Sequence, residues 1–335
     1  MSFQGQINFG YPITSQNIIT DIPDNAVLPL SMGNSLQGNI LGVTFGDLKS
    51  QVAPAGPVFT NDNTPYGSEA LENVTTGVGN TAMGNQACLN TTVSVFNTAI
   101  GAFALKSNIN GDANTAIGYN ALLYNTSGYS NIGIGSQVLT GNTTGSRNIA
   151  IGNYALAQTD SGYNNIAIGE QALQTSSNKY GNIAIGHEVL KIANSNSNII
   201  IGSFTANFTT TGYSNTIIGD NAFKNNTTGS VNTGLGANCL DNNTIGEFNI
   251  AIGSGALNDN STGNNNTALG TSAGSGNHNG SIILGRNATA TANNQFVVGS
   301  TGYNAGAIAS ETITANRTWT VRINGADYKI PLLAI

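Results

Sequence analysis

The stretch NTAIGYNALLYNTSGYS, residues 114–130, decides the fold. It opens on Asn, runs through Thr-Ala-Ile to a Gly, continues to Ala-Leu, and closes on Asn-Thr-Ser-Gly. The residues before it, NTAIGAFALKSNINGDA (97–113), and those after it, NIGIGSQVLTGNTTGSR (131–147), follow the same scheme. Working outward, the opening Asn recurs as Asn63, Asn80, Asn97, Asn114, Asn131, Asn148, Asn165 and Asn182. It continues as Asn198, Asn215, Asn232, Asn249 and Asn266. Every step is 17 residues except Asn182 to Asn198, which is 16. Two shorter degenerate units, SIILG (281–285) and QFVVG (295–299), bring the units with an aligned glycine to 15. Positions within a unit are numbered below from this Asn.

A repeat of this length is too short for a pair of helices, so each unit is one coil of a β-solenoid. Positions 1–5 have the small and β-branched composition of a strand covered on both sides. The Ala-Leu of positions 8 and 9 reads as a second short strand, and Asn-Thr-Ser-Gly as a turn. One coil cannot bury its apolar residues alone. Coils stacked about 4.8 Å apart bury them jointly, and fifteen rungs predict a rod of roughly 70 Å.

Stacking places like residues in ladders. Asn114, Asn131, Asn148 and Asn165 form an Asn ladder whose amides bond from rung to rung, as in cross-β stacks. Ile117, Ile134, Ile151 and Ile168 form an apolar ladder at position 4. Gly118, Gly135, Gly152 and Gly169 form a corner ladder at which positive φ is expected. The Ala and Gly side of the strand suits a narrow interior. The Ile side needs a second cover, which three rods around an axis would supply, so a homotrimer is expected.

Composition narrows the function. Charged residues are 8% of the chain and the net charge is −6. There is no Lys/Arg cluster, so neither nucleic acid nor an anionic membrane is an expected partner. The opening MSFQGQINFG lacks the basic and apolar regions of a signal peptide, and no apolar run is long enough for a membrane span. Synthesis in a cytosol and export as part of a particle are expected.

The NTAIG and NIAIG units resemble the head repeats of trimeric autotransporter adhesins, a YadA-like left-handed β-roll. They resemble still more the repeat shafts of phage and giant-virus tail fibres, in which N-T-A-I-G-x-x-A-L recurs. The likeness covers about residues 63–299. It implies a left-handed, all-β, single-chain solenoid of about 15 coils, assembled as a trimeric fibre on a virion. The autotransporters' signal peptide and membrane anchor are not seen here, nor is the self-cleaving chaperone domain of many phage fibres.

The organisation expected is an N-terminal attachment or capping segment (1–61), the shaft (62–300) and a C-terminal cap (301–335). The first holds Pro12, Pro23, Pro29, Pro54 and Pro57, and its GVTFGDLKSQV (42–52) suggests a short strand and a helical turn. Other virion structural proteins are its expected partners. The third contains TWTVRI-NG-ADYKIPLL, a hairpin signal with Trp319, Val321 and Ile323 on one face.

No catalytic constellation is evident. His187 and His278 lie in different units, no acid–base carboxylate pair recurs, and GNHNG (276–280) reads as a loop. No cofactor or metal is expected. Cys88 and Cys239 lie nine rungs apart and read as small core residues. Sequons at Asn90, Asn125, Asn142, Asn226 and Asn260 arise from the turn chemistry itself. The one functional hint is aromatic. Tyr129, Tyr163, Tyr180 and Tyr213 share position 16 and would line one edge of the rod. They suit either stacking on a host-surface glycan or packing at turns and chain contacts. A protein receptor, a cellular adhesin and an ice-binding Thr array (Thr81, Thr98, Thr115, Thr216, Thr233, Thr267) are the alternatives. A hexapeptide-repeat acyltransferase is disfavoured by the repeat length and the scarcity of His.

Overall fold

The computed structural model describes residues 27–28, 43–44, 62–300 other than 177, 317–323 and 326–332. Two units are distinguished, Met1–Val58 and Phe59–Ile335. In the first, Val27–Leu28 and Val43–Thr44 pair antiparallel. The helical turn expected within 42–52, and the attachment role of this segment, lie outside the described residues.

The second unit is the solenoid. Fifteen three-residue strands, from Thr64–Tyr66 to Phe296–Val298, stack in sequence order into one parallel sheet of about 14 turns. No helix occurs among the described residues. Register is one repeat per rung: Thr115 pairs with Ile132, Ala116 with Gly133 and Ile117 with Ile134. The short step keeps this register, with Ile183 opposite Ile199. The missing residue is therefore taken from the turn, where backbone length can change without flipping a strand face.

Each strand alternates. The middle residue points inward and is fully buried, as at Ala116, Ala150 and Ala167. Positions 2 and 4 point out, and Ile134 remains 37% exposed. The narrow-interior, bulky-exterior reading of the strand therefore holds. Position 9 differs from the expectation of a second strand: no strand forms there, and positions 6–11 are a run of turns. Its leucines, among them Leu105, Leu122 and Leu139, are fully buried inside the coil.

The turns stack through hydrogen bonds because φ changes sign along them. Asn120 and Leu122, at positions 7 and 9, have φ of 56° and 53°. Successive N–H groups consequently point in opposite directions along the axis. Asn120 N–H donates back to Ala102 O (3.1 Å), and Leu122 N–H donates forward to Val138 O (3.0 Å). The corner glycine behaves as expected. Gly152 has φ of 126°, and a Cβ there would stand 2.6 Å from the Gly169 carbonyl.

The Asn ladder is continuous from Asn63 to Asn266. Asn131 Oδ1 accepts both the Asn148 backbone N–H (3.0 Å) and its side-chain Nδ2–H (3.1 Å). A second ladder stands at position 12, where the sequence suggested only turn residues. Asn125 donates to Asn108 Oδ1 and Asn142 donates to Asn125 Oδ1, each at 2.8 Å. The position-15 glycine joins the two ladders. Gly128 O accepts from Asn114 Nδ2 (2.8 Å) and from Asn125 Nδ2 (2.9 Å). Its φ is not positive. It is glycine because a Cβ would strike Asn125 Oδ1 and the Gly145 carbonyl.

At the C-terminal end, Arg317–Ile323 and Ala326–Leu332 pair antiparallel, the hairpin expected from the alternation around Asn324-Gly325. The turn and the side-chain faces of the hairpin lie outside the described residues.

Candidate functional site: the tyrosine edge and the outer sheet face

Position 16 lies two residues before each strand-opening Asn, at a corner of the coil. Its N–H points to the following coil. Tyr129 N–H donates to Ser146 Oγ (3.1 Å), Tyr180 N–H to Asn196 Oδ1 (3.0 Å) and Tyr213 N–H to Ser230 Oγ (3.2 Å). A short polar residue thus follows each of these tyrosines and is tied to the backbone. Tyr163 is followed by Tyr180, which cannot accept in this way, and its N–H goes instead to Lys179 O (3.1 Å).

All four tyrosines are exposed, and they divide into a central pair and two single rings. Tyr163 and Tyr180 stack, with centroids 5.2 Å apart and planes 11° from parallel, so the ring faces between them are covered. Tyr129 stands two coils before this pair, beyond Ser146. Its ring carries the Arg147 guanidinium 5.1 Å from the centroid. Tyr213 stands two coils after the pair, beyond Asn196. A second aromatic corner, at positions 6 and 7, was not anticipated. Phe103 meets Tyr119 edge-on at 6.0 Å beneath Lys106, and Phe204 meets His187 at 5.0 Å. Its residues vary in type from coil to coil, so the repeat did not mark it.

The outer face of the sheet is the larger feature. Position 4 carries Met83, Ile100, Ile134, Ile151, Ile218, Leu235, Ile252 and Leu269, all exposed in the single chain. Ile117 and Ile168 are half-buried in the same row. Position 2 adds Ile132, Ile199, Ile250 and Ile282 beside threonines. A continuous apolar face of this length is far more than the scattered apolar residues of ordinary surfaces.

The remaining candidates are chemically quiet. His187 Nε2 lies 3.9 Å from Glu170 Oε2 at the surface. Among the described residues no group of three or more His, Cys, Asp or Glu could hold a metal ion. Cys88 and Cys239 are buried and unpaired, and burial pushes both thiols up to about 12. A thiol of that kind is a core group, not a nucleophile. A cavity of about 300 Å³ opens where the turns shorten, between Asn242, Asn258, Asp259, Ser272 and Thr289. Its one carboxylate already accepts the N–H groups of Ser275 (3.0 Å) and Gly276 (2.8 Å). Of the sequons, Asn125, Asn142, Asn226 and Asn260 are fully buried in the second ladder, which leaves Asn90 exposed.

No family model matches the chain, and no curated protein matches it.

Proposed function

We propose that the chain is a structural shaft of a virus particle, a tail or host-attachment fibre built as a homotrimer, with no catalytic role. The observation that carries this reading is the uncovered row of Ile, Leu and Met on the outer sheet face. It runs the length of the solenoid and demands a cover of the same length and pitch, which identical chains supply rung for rung. Three copies is the number implied by the likeness to trimeric adhesin heads and phage shafts. Residues 1–61 would join the shaft to other virion proteins.

The tyrosine edge gives this shaft a place to hold a host-surface glycan, since a phenol ring offers an apolar face and a polar tip. Nucleic acid and membrane are not partners in this reading. Two measurements test it. Light scattering on the purified chain should give a mass three times 34.3 kDa, and a monomer at all concentrations would refute the trimer. A glycan array probed with the trimer should show pyranose ligands, and a blank array would reduce the protein to a spacer.

A second reading keeps one specific support. Thr81, Thr98 and Thr115 stack in register on the outer face, the kind of array that ice-binding solenoids use. The Ile residues that replace Thr from Ile132 to Ile199 break the array. Measurable thermal hysteresis would favour this reading over the fibre.

A further inference from the structure

The tyrosine edge contains two intervals in which one coil with a short position-16 residue separates two aromatic rings. One lies between Tyr129 and Tyr163, over Ser146. The other lies between Tyr180 and Tyr213, over Asn196. Position 17 of the intervening coil differs between them. Arg147 donates its N–H to Tyr129 O (3.0 Å), and its guanidinium lies over the Tyr129 ring. Ser197 occupies the equivalent place, donating to Tyr180 O (3.1 Å) with the same φ of 58°. The first interval is filled from within the chain, whereas the second is not.

We infer that the interval between Tyr180 and Tyr213 is the saccharide-binding slot of the shaft and takes one pyranose ring. This rests on the glycan reading above and locates it. A single coil step separates stacked rings by 5.2 Å, so two steps leave about 10 Å between planes. Two van der Waals contacts of about 4 Å each, with the puckered thickness of a sugar chair between them, fill that space. A flat base or phenyl ring would leave one face without contact. The floor is polar. Asn196 Oδ1 is committed to Tyr180 N–H (3.0 Å), which leaves its Nδ2–H to donate to a sugar hydroxyl. The back wall is firm because Tyr163 stacks on the far face of Tyr180 and fixes that ring. Ser195, Asn196 and Ser197, which form this corner of the intervening coil, are all uncharged, so the chemistry fits a neutral sugar.

The test uses the full chain and four probes, chitotriose, cellotriose, maltotriose and lactose, read by saturation transfer from the aromatic protons. At least one should receive magnetisation through its C–H groups. Ser197→Arg should fill the slot as Arg147 fills its own, weakening binding about tenfold with the melting curve unchanged. Arginine is already accepted at this backbone position in the preceding interval, so the variant should fold. Tyr213→Ala should weaken binding similarly, and Tyr124→Ala, on another edge, should not. Arg147→Ser should open the first interval and raise the signal. A sugar that binds equally well to the Ser197→Arg variant, or a signal that Arg147→Ser fails to raise, overturns the slot and leaves the glycan reading standing. Silence from every array sugar and all four probes overturns both.

Discussion

At the scale of the residue, the repeat separates Ile from Leu by backbone conformation. Thr and Ile predominate at position 2 and Ile at position 4, where the strand favours β-branching. Position 9 is Leu in most coils, and from Leu71 to Leu257, where its φ is near 50°, it is never β-branched. Leu139→Ile should therefore destabilise the solenoid by about 2 kcal/mol or more, the left-handed penalty sharpened by the branch. Ile151→Leu should cost well under that. Chemical denaturation of the two variants checks the contrast. Asp241 adds a pH effect. It is half-buried, its Oδ1 has no hydrogen-bond partner, and burial raises its carboxyl above the ordinary value of 3.8 despite nearby Lys224. The folded state thus prefers the proton. This residue's contribution is most favourable below 3.8 and is lost as pH rises through the folded-state value. Asp241→Asn should raise the melting temperature at neutral pH, and the gain should vanish in acid.

At the scale of the element, the coil is held by two polar ladders around small apolar residues. Removing one rung of the first ladder, Asn148→Ala, takes a donor from Gly162 O and from Asn131 Oδ1 and the acceptor from the Asn165 backbone N–H, while the Asn165 side chain keeps only its bond to Lys179 O. The cost should be about 3 kcal/mol, seen as a lower denaturation midpoint. The second ladder has a natural fault. Asn142 Oδ1 has no partner because the next rung is Thr159, whose own hydroxyl is also unpaired. Thr159→Asn should mend it and stabilise by about 1 kcal/mol, whereas Thr159→Val should be nearly neutral. The first ladder was legible in the sequence because position 1 is Asn in unit after unit, beside a strand whose faces are set by alternation. The second was not. Asn108, Asn125 and Asn142 open Asn- and Gly-rich clusters that signal turns, and nothing local says that their amides face inward. Likewise Ala121-Leu122 has the pattern of a short strand. The absence of β-branching at positions 7 and 9 was the available sign of left-handed backbone there. The pairing of Gly133 with the larger Val138, whose Cγ1 would lie 3.2 Å from an added Cβ, is a packing match that only the folded coil reveals.

At the scale of the whole molecule, a solenoid removes the edges of its coils everywhere except at its two ends, yet it leaves one sheet face bare. The repeat puts the four tyrosines at one position of the coil. Their division into a stacked pair and two outliers depends on which short residue follows each ring, a rung-to-rung relation that a linear reading does not weigh. The bare Ile face bears directly on assembly. Ile134→Glu with Ile151→Glu, both on the exposed row, should leave the coil content unchanged by circular dichroism and reduce the particle to single chains. The most direct measurement is small-angle X-ray scattering with absolute mass on the unmodified chain. It should report three chains and a rod-like section with the solenoid's length of about 70 Å. A single-chain mass at high concentration, with the apolar face still open to solvent, would contradict it.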